Sequence, residues 1–133
     1  MLRLEIVTPE KRVLDAEVDS VTVPTATGEA GILPNHAPLI SALKPGVLSY
    51  SVKGTTEKLA VAGGFVEVNA DKVAVLADSA ETADEIDIAA AKSSRDAAEK
   101  EYAAKSSMSI DETAAVRELI EAANVRIHLA AGK

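Results

Sequence analysis

The chain predicts an all-β N-terminal sandwich followed by a C-terminal antiparallel two-helix hairpin, and three observations predict it. Residues 1–84 carry short apolar or β-branched runs of about five residues, cut by turn signals roughly every eight to twelve residues. Beyond Asp84, Gly and Pro vanish until Gly132 and Ala becomes the commonest residue. Within that Ala-rich tail, Ser109 to Glu112 spells a helix start: Ser at the cap and Glu three residues on. The expected division is therefore a sandwich over 1–84 and a helical hairpin over 85–133.

The strand readings follow in order. Leu2, Leu4 and Ile6 alternate with Arg3, Glu5 and Val7, the period of a half-buried strand. Val18 to Val23 alternates in the same way, and Val47–Val52, Lys58–Ala62, Phe65–Asn69 and Val73–Ala77 are further runs. Turn signals separate them at Thr8-Pro9-Glu10, Pro24, Thr27-Gly28, Lys44-Pro45-Gly46, Lys53-Gly54, Gly63-Gly64 and Asn69-Ala70-Asp71. Between the second and third runs, Gly28 to Gly46 packs three glycines and three prolines around His36. Gly permits φ > 0 and Pro fixes φ near about −65°, so this path is either a demanding corner or a docking surface. Asp78, Glu81, Asp84, Glu85 and Asp87 read as a loose acidic, solvated linker.

In the tail, helix one is expected from Asp87, an acceptable N-cap, to about Lys105. Its apolar stripe is thin: Ile88, Ala91, Ala98 and Tyr102. Helix two runs from the Ser109 cap to about Ala131, with Val116, Ile120, Ala123, Ile127 and Ala130 stepping by 4, 3, 4 and 3. The short joint makes the pair antiparallel. Ala offers little surface, and burial stabilises by roughly 25 cal/mol per Å², so the pair is expected to be held weakly.

Composition excludes several function classes. With 47% apolar residues among 133, a core is affordable, yet Tyr50, Phe65 and Tyr102 are its sole aromatics. No Cys is present, which rules out disulfides, thiolate metal sites and a cysteine nucleophile. The net charge of −7 argues against nucleic acid. No run approaches the roughly 18 apolar residues of a membrane span, and Met1-Leu-Arg-Leu-Glu-Ile lacks a signal pattern. A soluble, cytoplasmic chain without membrane insertion is the expectation. No phosphate loop, nucleophile elbow or calcium loop occurs, so a catalytic or metal site is not expected and the chain reads as a non-enzyme.

Three side chains stand out. His36 either holds its Pro-rich loop or carries a ligand or proton role. His128 sits near a helix C-terminus, where a partial positive charge is favoured. Glu29 lies in the Gly28-Glu29-Ala30-Gly31 turn, either as a rigid acidic tip for a partner or as a plain solvated turn.

Four blocks resemble a known family. They are Gly28-Glu-Ala-Gly-Ile-Leu-Pro-Asn-His-Ala-Pro-Leu39, Lys44-Pro-Gly46, Gly63-Gly-Phe-Val-Glu-Val68 and Val73-Ala-Val-Leu-Ala-Asp-Ser-Ala-Glu81. In order and spacing they resemble the epsilon subunit of bacterial and chloroplast F-type ATP synthases. The resemblance implies a rotor subunit at the foot of the central stalk, binding the gamma subunit and touching the membrane c-ring. It implies coupling of ring rotation to ATP synthesis, and inhibition of ATP hydrolysis when the helices reach the alpha and beta subunits. It places the chain, as a peripheral non-catalytic subunit, on the cytoplasmic face of the bacterial plasma membrane. Glu29 matches the acidic turn that meets the ring's polar loops, His36 falls in the signature loop, and Arg126 matches a basic position that meets the acidic lever of the beta subunits, with Arg117 a second candidate for that role on charge alone. Many bacterial members bind ATP through Ile/Leu-Asp-x-x-Arg-Ala. Here Ile86, Asp87 and Ala91 match but Ala90 replaces the Arg, so no cofactor is expected and ATP binding is expected to be weak or absent. The competing reading, from composition, is a β-sandwich ligand-binding module with a helical oligomerisation tail.

Overall fold

A computed structural model describes residues 1–35, 37–104 and 109–131. Ten strands form two five-stranded sheets. They are β1 Leu2–Val7, β2 Arg12–Val18, β3 Ser20–Thr25, β4 Gly28–Ile32, β5 Leu39–Ala42, β6 Gly46–Val52, β7 Thr55–Ala62, β8 Phe65–Asn69, β9 Lys72–Leu76 and β10 Ser79–Thr82. The first sheet runs β2-β1-β9-β8-β5 and the second β10-β7-β6-β3-β4. All pairings are antiparallel except β1 with β9. A short 3-10 turn at Ala83–Glu85 leads to α1 Ile88–Ala104, and α2 Ile110–Ala131 follows.

The period-2 pattern decides which face of each strand is buried. Leu2, Leu4 and Ile6 of β1 meet Val66, Val68, Val73 and Val75 within the first sheet, and face Val21, Val23, Leu48, Leu59 and Val61 of the second. All of these side chains are buried, so Val, Leu and Ile build the core without aromatics. Gly63 and Gly64 allow its tightest corner. Both have positive φ, and a Cβ on Gly64 would collide with the Leu76 carbonyl.

The structure corrects the element list in four places. The Gly-Pro-rich segment is not loop throughout, because it supplies β4 and β5. The acidic stretch is not a solvated linker, because Ser79–Thr82 pairs with β7 as β10. The run Val18–Val23 is two strands broken at Asp19, and β2 reaches back to Arg12. Strand β3 continues through Pro24, whose missing N–H falls beyond Thr22, where the recorded pairing with β6 ends.

Both helix starts fall where the caps predict. Asp87 Oδ1 accepts from the Ala90 N–H at 3.0 Å, and Ser109 Oγ accepts from the Glu112 N–H at 3.1 Å. The helices pack through Ala91, Ala98, Val116 and Ala123, all buried. The rest of the anticipated seam is partial: Ile120 and Ile127 are half-buried, while Ile88 and Tyr102 are exposed. Helix α2 lies on the outer face of the second sheet, over β6 and β7.

Candidate functional site

Two surfaces collect the candidate residues. The first is the seam where the helix pair meets the second sheet. Its entry is set by Glu85, whose Oε1 accepts from both the Thr82 N–H and the Thr82 hydroxyl at 3.0 Å. Those two bonds, with Lys11 Nζ 3.6 Å away, hold the Glu85 carboxyl below its ordinary range. The chain then places Ile86 into a small apolar cluster with Ala60 of β7 and Ala130 of α2. Asp87 turns outward to cap α1, Ala91 is buried against α2, and Ala90 shows its methyl to solvent. Three of the four residues in the Ile86–Ala91 motif thus have structural work in this chain.

Beside that cluster sits Arg126. Its Nε lies 2.7 Å from Glu81 Oε1, a charge contact without hydrogen-bond alignment, and a second guanidinium nitrogen donates to Oε2 at 3.4 Å. Both side chains are partly buried. The pairing spans 45 residues, and no local pattern announces it. Arg117 is exposed on α2. A groove of about 630 Å³ continues the seam between α2 and the outer face of the second sheet. Glu29, Lys58 and His128 all line it, so the fold joins two candidates separated by about a hundred positions. Glu29 is not on a turn tip. It is the exposed second residue of edge strand β4, opposite Pro24. Buried Thr25 donates its hydroxyl to the Gly28 carbonyl and fixes the turn before it. His36 lies outside the described residues. Its neighbour Asn35, at φ 66°, donates its N–H to Asp71 Oδ1 at 2.8 Å, which ties that loop to the β8–β9 turn.

The second surface is the outer face of the first sheet, which the sequence reading passed over. Ala42, Phe65, Leu76 and Val7 stand side by side across β5, β8, β9 and β1. Phe65 is 58% exposed and Leu76 57%, and Ile40, two residues from Ala42 and so on the same face, is 72% exposed. Apolar residues at both phases of Val73–Leu76, with Phe65 on the outer phase of β8 beside Glu67, were the available signal: a strand apolar on both faces is ordinarily covered on both, and here the outer face is open. Among the described residues no group of three His, Asp or Glu is placed to hold a metal. Among the described residues no helix is long and apolar enough to cross a membrane.

Fold and surfaces together define a two-sheet β-sandwich with a helical appendage and an open apolar face. Residues 1–83 match the family model for the ATP synthase delta/epsilon chain β-sandwich domain. The chain is 51% identical over 105 residues to the ATP synthase epsilon chain of Desulforamulus reducens, covering 79% of this chain and 80% of that one. It is 43% identical over 129 residues to the epsilon chain of Herpetosiphon aurantiacus, covering 97% and 93%. Among solved structures, a chain of the Euglena gracilis mitochondrial ATP synthase superposes with a TM-score of 0.77 at 23% identity, over 93% of this chain and 78% of that one. The chain belongs to the ATP synthase epsilon chain family.

Proposed function

We propose that the chain is a non-catalytic central-stalk subunit of a proton-translocating ATP synthase, and that it divides its work between its two parts. The sandwich binds the gamma subunit through the Ile40–Phe65–Leu76 face and meets the c-ring's polar loops at the Glu29 edge. The helix pair regulates ATP hydrolysis by reaching the alpha and beta subunits, with Arg126 and Arg117 as the cations on offer. The complex holds the subunit peripherally on the cytoplasmic face of the bacterial plasma membrane. The observation that carries this reading is the uncovered apolar row, because a folded sandwich gains nothing by leaving Phe65, Leu76 and Ile40 in water unless a partner covers them.

The test is co-purification with gamma. Full-length chain and a truncation after Asp84 are both expected to retain it, while Phe65→Glu with Leu76→Glu loses it and keeps the sandwich's circular dichroism. A truncation that folds yet fails to hold gamma overturns the division of labour. The same reading treats the motif at Ile86–Ala91 as a poor nucleotide site. Without a guanidinium at Ala90 a charge-assisted phosphate contact is lost, about 1.5–3 kcal/mol or roughly ten- to a hundredfold in affinity. Calorimetry is expected to show weak or no ATP binding, with tighter binding in Ala90→Arg.

A further inference from the structure

Two contacts of different kinds hold the helix pair to the sandwich. The apolar one is small: Ile86, Ala60 and Ala130 are buried, with Val125 and Leu129 partly so. Two of the three buried side chains are single methyl groups, so little water-exposed area is removed. The other contact is the Arg126–Glu81 pair, at 27% and 29% side-chain exposure. It is set into the same seam. Glu81 pairs in register with Ala60 across β10 and β7, and Arg126 stands one turn before Ala130, between Val125 and Leu129 on the docking side of α2. Strand pairing holds the carboxylate in place, and the neighbouring apolar side chains shield the guanidinium. Attraction between half-buried charges is screened less than on an open surface. Taking away either partner strands the other.

We propose that the Arg126–Glu81 pair is the latch that keeps the helix pair docked, and that Arg126 becomes available to an acidic partner surface only when Glu81 releases it. Glu81 occupies the Nε side of the guanidinium, with Nε 2.7 Å from Oε1 and a second nitrogen donating to Oε2, so a partner carboxylate can take that side only after Glu81 leaves it. The latch stands on the geometry alone. The hand-off rests on the regulatory role proposed above, and the test separates the two.

The chain has no Cys, so cysteines placed at exposed Thr55 and Glu121 carry spin labels without background. Distances are then read on the full chain by double electron–electron resonance. A single docked distance is expected. Glu81→Gln and Arg126→Gln are each expected to raise the undocked-to-docked ratio roughly three- to tenfold. The charge-swapped double variant, Glu81→Arg with Arg126→Glu, is expected to recover the docked distance. Raising salt is expected to raise the undocked fraction of the parent chain modestly and to leave the Gln variants unmoved. Circular dichroism confirms that each variant retains its sandwich. Unchanged distances in both Gln variants, or a swap worse than either single change, overturn the latch. Gln variants that undock in isolation but leave ATP hydrolysis of the reconstituted complex unaltered overturn the hand-off and leave the latch standing.

Discussion

The sandwich and the helix pair are made from the same alphabet of small and aliphatic residues, but they spend it differently. Between the sheets, Leu2, Leu4, Ile6, Val21, Val23, Leu48, Val66, Val68, Val73 and Val75 are sealed from water. Between the helices the buried residues are Ala91, Ala98, Val116 and Ala123, and beneath them Ala130 meets Ala60 and Ile86, so among the described residues five alanines stand with one valine and one isoleucine. An interior Leu carries several times the apolar surface of an Ala, and burial scales with that surface. One region therefore has a core that forces a unique packing. The other has a close, shallow contact whose stability is drawn from helix propensity, two caps and a charge pair. The difference supports a fixed body with a detachable arm, and it can be broken or sharpened by substitutions that strike one region at a time.

The largest effect is expected in the sandwich. Leu48 is fully buried at the centre of β6, and Leu48→Ala is expected to cost about 2–5 kcal/mol through lost transfer energy and the cavity left behind. A denaturant midpoint followed at strand wavelengths checks it. The comparison fails if the loss is no greater than that from a truncation of Val116, the largest buried side chain between the helices.

A smaller and more local effect is expected in the arm. Ala91 is fully buried where α1 meets α2, so Ala91→Leu drives an isobutyl group into space sized for a methyl. Overpacking costs about 1–3 kcal/mol. Because the helices share little apolar surface with the sandwich, that cost is expected to appear as faster amide exchange in α1 and α2, with protection in β1, β6 and β9 unaltered. Equal loss of protection in the strands would mean that the two regions unfold as one unit.

The same contrast explains what could be read from the sequence. All six interior strands, β1, β3, β6, β7, β8 and β9, declare themselves in whole or in large part by apolar runs, because both neighbours and the opposing sheet demand Val, Leu or Ile there. The four edge strands, β2, β4, β5 and β10, were passed over apart from the last residue of β2. Gly-Glu-Ala-Gly-Ile in β4 and Ser-Ala-Glu-Thr in β10 have one partner strand and much solvent. Nothing in their composition distinguishes them from a turn or an acidic linker. The helices were legible because their caps are local chemistry, at Asp87 and Ser109. The seam was not. The Arg126–Glu81 pair and the meeting of Glu29 with His128 around one groove depend on how α2 settles on the second sheet, which is tertiary information with no periodic trace.

The smallest expected effect lies at the joint between the two regions. Glu85 accepts both of its bonds from Thr82 and keeps Lys11 beside it, so its folded-state pKa lies below the unfolded value. The sign follows from proton linkage: above the ordinary glutamate pKa the unfolded state holds no extra proton and the contribution is complete, and it is lost as pH falls through the lowered folded value. Acid is therefore expected to loosen the 3-10 turn before it disturbs the inter-sheet core, which among the described residues holds no carboxylate or histidine. The Thr82 amide resonance is expected to shift in step with Glu85 below the usual carboxylate range, and Glu85→Gln is expected to abolish that titration and flatten the acid limb of helix-pair stability. A Gln variant with the parent's acid limb would mean that the acid-sensitive contact is not the Glu85–Thr82 joint.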